Sequence, residues 1–288
     1  MSAIDEETHD RVIGWFALHA RALPWRAPGT SAWGVLVSEI MLQQTPAQRV
    51  AGPWAEWMDR WPVPASLASA STDDVLRAWG RLGYPRRALR LKAAAEAIVE
   101  EHAGIVPADE EALLRLPGIG SYTAAAVCAF AFRQRTLVLD VNIRRVLARH
   151  VDGAAQPSGH DSARRRSELW RHVPEDAGRA ALWSEAIMEL GALVCTSASP
   201  DCGGCPISES CAWLAAGCPP ATAARRSQPW EGTDRQCRGW LMARLRETDR
   251  LAMSDIVWPR PDQLARCIAS LAADGLISIR DETLTLGS

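Results

Sequence analysis

"LPGIGSYTAAAV", Leu116–Val127, decides how the rest of the chain is read. Gly118 and Gly120 flank Ile119, Pro117 precedes them, and an apolar run follows. Two glycines let a backbone turn tightly and approach another chain closely. A helix beginning near Ser121 would point its first N–H groups and its positive dipole end outward. That makes an anion site, suited to a phosphate. G-x-G alone also describes an ordinary turn between two helices, so the surrounding sequence must choose. Tyr122 stands where the helix begins.

On either side of this stretch helical periodicity dominates. Val12–Leu18, Val35–Leu42, Val75–Trp79, Ala88–Val99, Ala112–Leu116, Tyr122–Phe132, Val141–Arg149 and Leu182–Leu190 carry apolar residues at helical spacings. "RAPGTS" and "WPVPASLAS" punctuate them, and strand signals are scarce before residue 276. The 288 residues, 48% hydrophobic, suffice for more than one compact unit. A net charge of −2 argues against a globally basic nucleic-acid binder and leaves room for a local basic face. Arg133, Arg135, Arg144, Arg145, Arg149 and Arg164–Arg166 follow the glycine turn. The flanking arginines give weak support to a phosphate-binding face, and Arg164–Arg166 serve equally as a solvated one. No apolar run has the length of a bilayer span. "MSAIDEETHD" lacks the basic and apolar regions of a signal peptide, so a cytoplasmic location is expected.

Residues 217–233 are rich in Pro, Ala, Gly and polar residues, and a linker is expected over 215–234. The tail predicts helices over 235–247, 253–258 and 261–273, then a hairpin in "DGLISIRDETLTLG". Three helices and a hairpin suggest a winged-helix-like module over 235–288.

Eight cysteines in a cytosolic chain read as metal ligands sooner than as disulfides. Four fall in "CTSASPDCGGCPISESC", a C-x6-C-x2-C-x5-C pattern at Cys195, Cys202, Cys205 and Cys211. Generic thiolate chemistry leaves tetrahedral zinc and an iron–sulfur cube nearly even. The spacing resembles the [4Fe–4S] loop of the endonuclease III and MutY group of DNA glycosylases, within the helix–hairpin–helix superfamily. The resemblance covers about residues 10–214. It implies a [4Fe–4S] cluster on these four cysteines, and a DNA-binding hairpin at Gly118, Gly120 and Ser121. It also implies a mostly α fold: a six-helix barrel lobe (about 26–133), an iron–sulfur lobe (1–25 with 134–214) and an active site in the cleft between them. Family members carry basic residues between the first two cysteines; here "TSASPD" has none.

Cutting an N-glycosidic bond passes through a sugar with oxocarbenium character. One group must protonate the leaving base and an anion must stabilise the cation, the logic of paired carboxylates. The base must first leave the duplex stack. Glu39, in "VSEIMLQQT", lies in an apolar helix, where burial would favour the neutral acid. The string resembles the MutY signature, in which this glutamate protonates the adenine ring. Asp140, in "LVLDVNIRRVLAR", suits a helix N-cap by position alone. Its segment resembles that of the superfamily's catalytic aspartate, which implies an ionised carboxylate facing the cationic sugar, with Asn142 holding it. Many MutY members have glycine at position 141; here it is Val141.

Superfamily members that also nick DNA place a lysine where Tyr122 stands, and its amine forms a Schiff base. A phenol cannot, and the only lysine is Lys92. Tyr84, in "GRLGYPRRA", matches the family's intercalating loop, with Pro85 replacing a second tyrosine. Gln43, Gln44, Thr45 and Leu82 align with residues that surround the opposite 8-oxoguanine and fill the emptied stack. Residues 235–288 are too few for the larger Nudix-like domain that ends many MutY enzymes.

The resemblance therefore implies a monomeric, monofunctional, nucleoid-associated adenine DNA glycosylase. Its expected partner is double-stranded DNA carrying A·8-oxoguanine or A·G, with no membrane partner. The rivals are a thymine or uracil mismatch glycosylase and a non-catalytic iron–sulfur DNA-binding protein.

Overall fold

The computed structural model describes residues 4–157, 159, 162–221 and 230–287. In chain order its helices are α1 (Glu6–His19), α2 (Ala32–Leu42), α3 (Ala47–Arg60), α4 (Pro64–Ala68), α5 (Thr72–Trp79), α6 (Arg86–His102), α7 (Glu110–Arg115), α8 (Ser121–Phe132), α9 (Val141–His150), α10 (Ala163–Trp170), α11 (Ala177–Leu193), α12 (Ala212–Ala215), α13 (Asp234–Glu247) and α14 (Pro261–Ala273). The strands are β1 (Leu251–Ala252), β2 (Ile277–Arg280) and β3 (Thr283–Leu286). The fold is mostly α, with a small sheet at its C-terminal end.

The helix starts follow from side-chain chemistry. Asp5, Ser71, Asp140, Ser162, Asp176 and Thr233 each accept a first-turn amide as N-cap residues of α1, α5, α9, α10, α11 and α13. Pro64 opens α4 from within "WPVPASLAS", a stretch that reads as a break. Proline at the first helical position lacks only an amide that would have no helical partner. α3 falls outside the periodic segments above, although Val50, Trp54 and Trp57 bury one face of it at helical spacing. The arginine run 164–166 lies on α10.

The chain forms two compact units. One comprises Met1–Val35, Ala108–Leu114 and Ile119–Arg225; the other comprises Leu36–Pro107, Arg115–Gly118 and Arg226–Ser288. In the first, α9 and α11 pack closely, joined by α1 and α8. Their core includes Val12, Phe16, Ala125, Ile143, Leu147, Trp183, Ile187 and Leu190. Gly191 is required there, because a Cβ on it would lie 2.7 Å from Asn142 Cβ and 2.9 Å from the Asn142 carbonyl oxygen. Glu189 is fully enclosed and holds Arg21 (2.7 Å) and Arg26 (3.1 Å), which fasten the segment after α1.

In the second unit α6 packs on α4 and α5 over Trp57, Leu67, Leu76, Trp79, Leu91 and Ile98. The tail belongs to this same unit. α13 and α14 pack on a three-stranded antiparallel sheet of order β1-β3-β2, with Leu241, Leu245, Leu271 and Leu284 buried. This is a winged-helix-like arrangement with two corrections. The segment expected as a helix over 253–258 is one 3-10 turn, Met253–Asp255. The two-residue β1 before it is too short to show a period. Of the expected linker, residues 222–229 lie outside the described residues. No helix among the described residues is long and apolar enough to cross a membrane.

Candidate active site

In the first unit, Asp140 ends the extended stretch after α8 and begins α9. Oδ1 accepts the Ile143 amide at 2.6 Å, and Oδ2 accepts Asn142 Nδ2 at 2.8 Å. Both carboxylate oxygens are therefore oriented, one by the helix and one by a side chain. Asn142 is fixed in turn, because its Oδ1 accepts Arg145 Nη2 at 2.9 Å. Arg145 also donates to the carbonyls of Gly191 (2.6 Å) and Cys195 (2.7 Å). Burial pushes the Asp140 carboxyl above its ordinary value, while the Ile143 and Asn142 hydrogen bonds and the Arg145 charge act against it. An aspartate expected to stay anionic thus sits where desolvation opposes the charge and fixed donors support it. Val141 beside it is exposed, at 67%.

Arg145 and Arg149 correct the expectation of a basic face. They are buried, at 7% and 3% exposure. Arg149 donates to the carbonyls of Ala155, Thr196 and Ser197, approaches Cys195 Sγ at 3.4 Å and stacks over Trp213. Arg135 binds the Val173 and Pro174 carbonyls, and Arg133 pairs with Glu185. Arg135, Arg145 and Arg149 thus brace protein backbone, while Arg133 is held in an ion pair. The period of α9 places positions 145 and 149 on one face, but sequence alone does not say that the face turns inward.

The loop that Arg149 braces carries the four cysteines. All four are partly exposed thiols, and Cys211 Sγ lies 3.8 Å from the Arg149 carbonyl oxygen. Burial pushes the Cys205 thiol up to about 11, and Cys195, Cys211 and Cys202 add to the rise, so the four sulfurs share one electrostatic neighbourhood. Among the described residues no three or more His, Cys, Asp or Glu side chains are drawn in to metal-binding geometry. The donor set nonetheless suits a thiophilic iron centre: four thiols on one loop, braced by a buried cation, whose deprotonation a metal would drive.

α8 begins at Ser121. Its N-cap, Gly120, supplies no side-chain cap, and Ser121 is exposed. Tyr122 is half-buried against the core of this unit.

In the second unit, Glu39 is buried at 4% exposure in α2, whose start is held by Ser31 Oγ accepting the Gly34 amide. Beyond α2 lie Gln43, exposed Gln44 at φ +58°, and buried Thr45. Gly80–Pro85 forms a second loop, between α5 and α6. There Tyr84 is 48% exposed at φ +47°, a left-handed conformation costly for a tyrosine, while Leu82 is buried. Gly118, at φ +79°, lies against the stem of Arg90, where a Cβ would come within 2.7 Å of Arg90 Cβ.

Arg87 ties these two loops together, a role the sequence did not reveal. Its guanidinium reaches the carbonyls of Ile40 (3.0 Å), Met41 (2.9 Å), Leu82 (3.3 Å) and Gly83 (3.0 Å), the Gln43 carbonyl, and Thr45 Oγ1 (2.9 Å). Thr45 Oγ1 donates on to the Leu82 carbonyl at 3.2 Å. Burial lowers Arg87 to about 10, which leaves it charged at neutral pH. In "GYPRRALR" nothing marks one arginine as interior. Lys92 contacts the Ala68 carbonyl and pairs with Glu96.

A carboxylate caps α9, a glycine hairpin enters α8 and a cysteine loop follows α11, the arrangement that the sequence resemblance implies. The model of the HhH-GPD superfamily of base excision DNA repair proteins matches residues 37–172. A solved thermostable thymine-DNA glycosylase is similar at 25% identity and TM-score 0.66, covering 72% of this chain and 95% of that one. Adenine DNA glycosylases of Mycobacterium tuberculosis H37Rv and Mycolicibacterium smegmatis are each 48% identical to it. The first match covers 93% of this chain and 89% of the relative; the second covers 92% and 91%. The chain belongs to the adenine DNA glycosylase family of the HhH-GPD superfamily.

Proposed function

We propose that the protein hydrolyses the N-glycosidic bond of adenine mispaired with 8-oxoguanine or guanine in duplex DNA. The observation that carries this reading is the doubly oriented carboxylate of Asp140, together with family membership. Glu39 is the general acid: it protonates the adenine ring, so the base leaves as a neutral molecule. Asp140 stabilises the cationic sugar, by charge or a transient bond, until water adds to the sugar carbon, gives up a proton that restores the Glu39 carboxyl, and leaves an abasic site. Asn142 keeps that carboxylate in place, and Tyr122 positions the sugar.

Gly118, Gly120 and Ser121 hold a phosphate at the start of α8. Tyr84 wedges into the duplex beside the opposite base, and Gln43, Gln44, Thr45 and Leu82 contact that base and the emptied stack. Cys195, Cys202, Cys205 and Cys211 would hold a [4Fe–4S] cluster, which when bound supplies a rigid cross-link for their loop. The protein acts as a monomer associated with the nucleoid. It lacks an amine for Schiff-base chemistry at Tyr122, so efficient strand cleavage is not part of the reaction.

The test is base release from duplexes carrying A·8-oxoguanine, A·G and T·G. Release from the first two supports the reading. Activity confined to T·G refutes it in favour of a thymine mismatch enzyme, and DNA binding without any release refutes catalysis.

A further inference from the structure

The C-terminal module grips both stems of the loop that carries Tyr84. That loop leaves α5 at Gly80 and enters α6 at Arg86. On the α5 side, Arg77 lies in the last turn. Its Nη1 donates to the Arg246 carbonyl at 2.8 Å and its Nη2 to the Thr248 carbonyl at 3.3 Å, both at the end of α13. Asp73 holds the same guanidinium from below at 2.8 Å. Gly287, the residue after β3, packs so closely on the start of α5 that a Cβ would lie 2.9 Å from Thr72 Cβ and 3.3 Å from the Asp73 amide. On the α6 side, Arg86 pairs with Asp274 at 3.3 Å, and Arg238 of α13 anchors Asp274 at 2.7 Å. A Cβ on Gly275 would touch Leu89 at 3.8 Å, one turn further along α6.

Within the loop, Gly80, Gly83 and Tyr84 all have positive φ (+53°, +82° and +47°). Glycine adopts such angles freely, but a tyrosine persists there only where its surroundings over-determine it. Arg87 and the Trp79 indole, which donates to the Gly83 carbonyl at 2.8 Å, hold it from inside. The module holds it from outside. Driving an aromatic ring between bases pushes back on the loop, and that force passes into the ends of α5 and α6. A wedge on stems free to splay would lose its purchase.

We propose that the winged-helix-like module is a positioning element. Through Arg77, and through Asp274 on Arg86, it fixes the Tyr84 loop for duplex opening, and so acts on mispair recognition without itself reading the opposite base. The inference rests on the wedge role of Tyr84 stated above.

The test uses the full chain and a duplex with 2-aminopurine beside the mispair, whose fluorescence reports unstacking in stopped flow. Base release is followed in parallel on adenine in a single-stranded loop, which needs no wedge. Arg77→Met is expected to slow duplex opening about tenfold, as loss of hydrogen bonds from a charged donor implies. Arg86→Ala and Asp274→Asn are expected to slow it about threefold, the scale of a part-exposed ion pair, and no further when combined. Arg86→Lys should restore the wild-type rate, and base release from the loop substrate should be unchanged throughout. Circular dichroism melts establish that each variant is folded; Arg86→Ala and Arg86→Lys, at a side chain 57% exposed, keep the test open should Arg77→Met not fold. If Tyr84→Ala slows opening while the Arg77, Arg86 and Asp274 variants do not, the positioning role is overturned and the wedge reading stands. If Tyr84→Ala opens the duplex at the wild-type rate, the wedge reading falls, and this inference with it.

Discussion

Asn142 donates to one oxygen of Asp140 at 2.8 Å, and the same amide accepts from Arg145 at 2.9 Å. The amide is thereby locked in one flip state, with its NH2 toward the carboxylate. Asn142→Ala removes that donor but leaves the Ile143 amide on the other oxygen. The expected result is a base-release rate lowered about tenfold with DNA affinity nearly unchanged, as for loss of one hydrogen bond to a charged group. Single-turnover kinetics and a binding titration separate the two effects.

Tyr122 leads to a prediction about covalent chemistry. Borohydride traps an enzyme–DNA Schiff base only where an amine has attacked the sugar. The wild-type chain is expected to give no trapped adduct on mispaired duplex, whereas Tyr122→Lys gives one. A wild-type adduct on gel electrophoresis would mean that another amine reaches the abasic sugar.

Arg87 predicts coupled loss of both loops. Arg87→Met keeps the stem but leaves several buried carbonyls without their donor, at a cost of about 3 kcal/mol or more. Thermal melts should show the destabilisation. Hydrogen exchange should show faster exchange in both the 43–45 and 80–85 segments, which are far apart in sequence. Faster exchange in one segment alone would contradict the coupling.

The acid side of the stability curve has two named contributors. His172 is buried, its Nδ1 accepts the Ile4 amide at 3.1 Å and its carbonyl meets His9 Nε2 at 3.1 Å. Burial, with Arg171 and other cations adding, lowers it to about 4 from an ordinary 6.5. The folded state therefore prefers neutral His172. This stability is whole above pH 6.5 and falls as pH drops toward 4, by about 3 kcal/mol over the window. Glu189 acts lower down. Arg21 and Arg26 outweigh its desolvation and bring it to about 2 from 4.5, so its contribution is present above 4.5 and is lost as pH falls toward 2. Urea melts should show His172→Gln flattening the first window and Glu189→Gln the second. Glu189→Gln should also destabilise the fold at neutral pH, because it leaves the half-buried Arg21 and Arg26 guanidinium groups without their counter-charge.

Much of this was legible in the chain because the signals were local. A glycine hairpin before an apolar helix, a carboxylate before "VNIRR" and cysteines within one loop are read over a dozen residues each. What escaped was set by tertiary burial. Arg87, Arg145 and Arg149 look like solvated arginines until α6 and α9 turn them inward onto carbonyls. Gly191 looks like an unfavourable helix residue until Asn142 packs against it. The grip of the tail on Arg77 and Arg86 joins residues about 170 to 190 positions apart, beyond the reach of any periodicity.

The central claim is that Glu39 and Asp140 divide the chemistry between them, and single-turnover base release from A·8-oxoguanine duplex tests it most directly. With Glu39→Gln and Asp140→Asn measured separately, each is predicted to slow release by about 10²-fold or more while the variant still binds the duplex. Release by either folded variant at the wild-type rate would contradict the account.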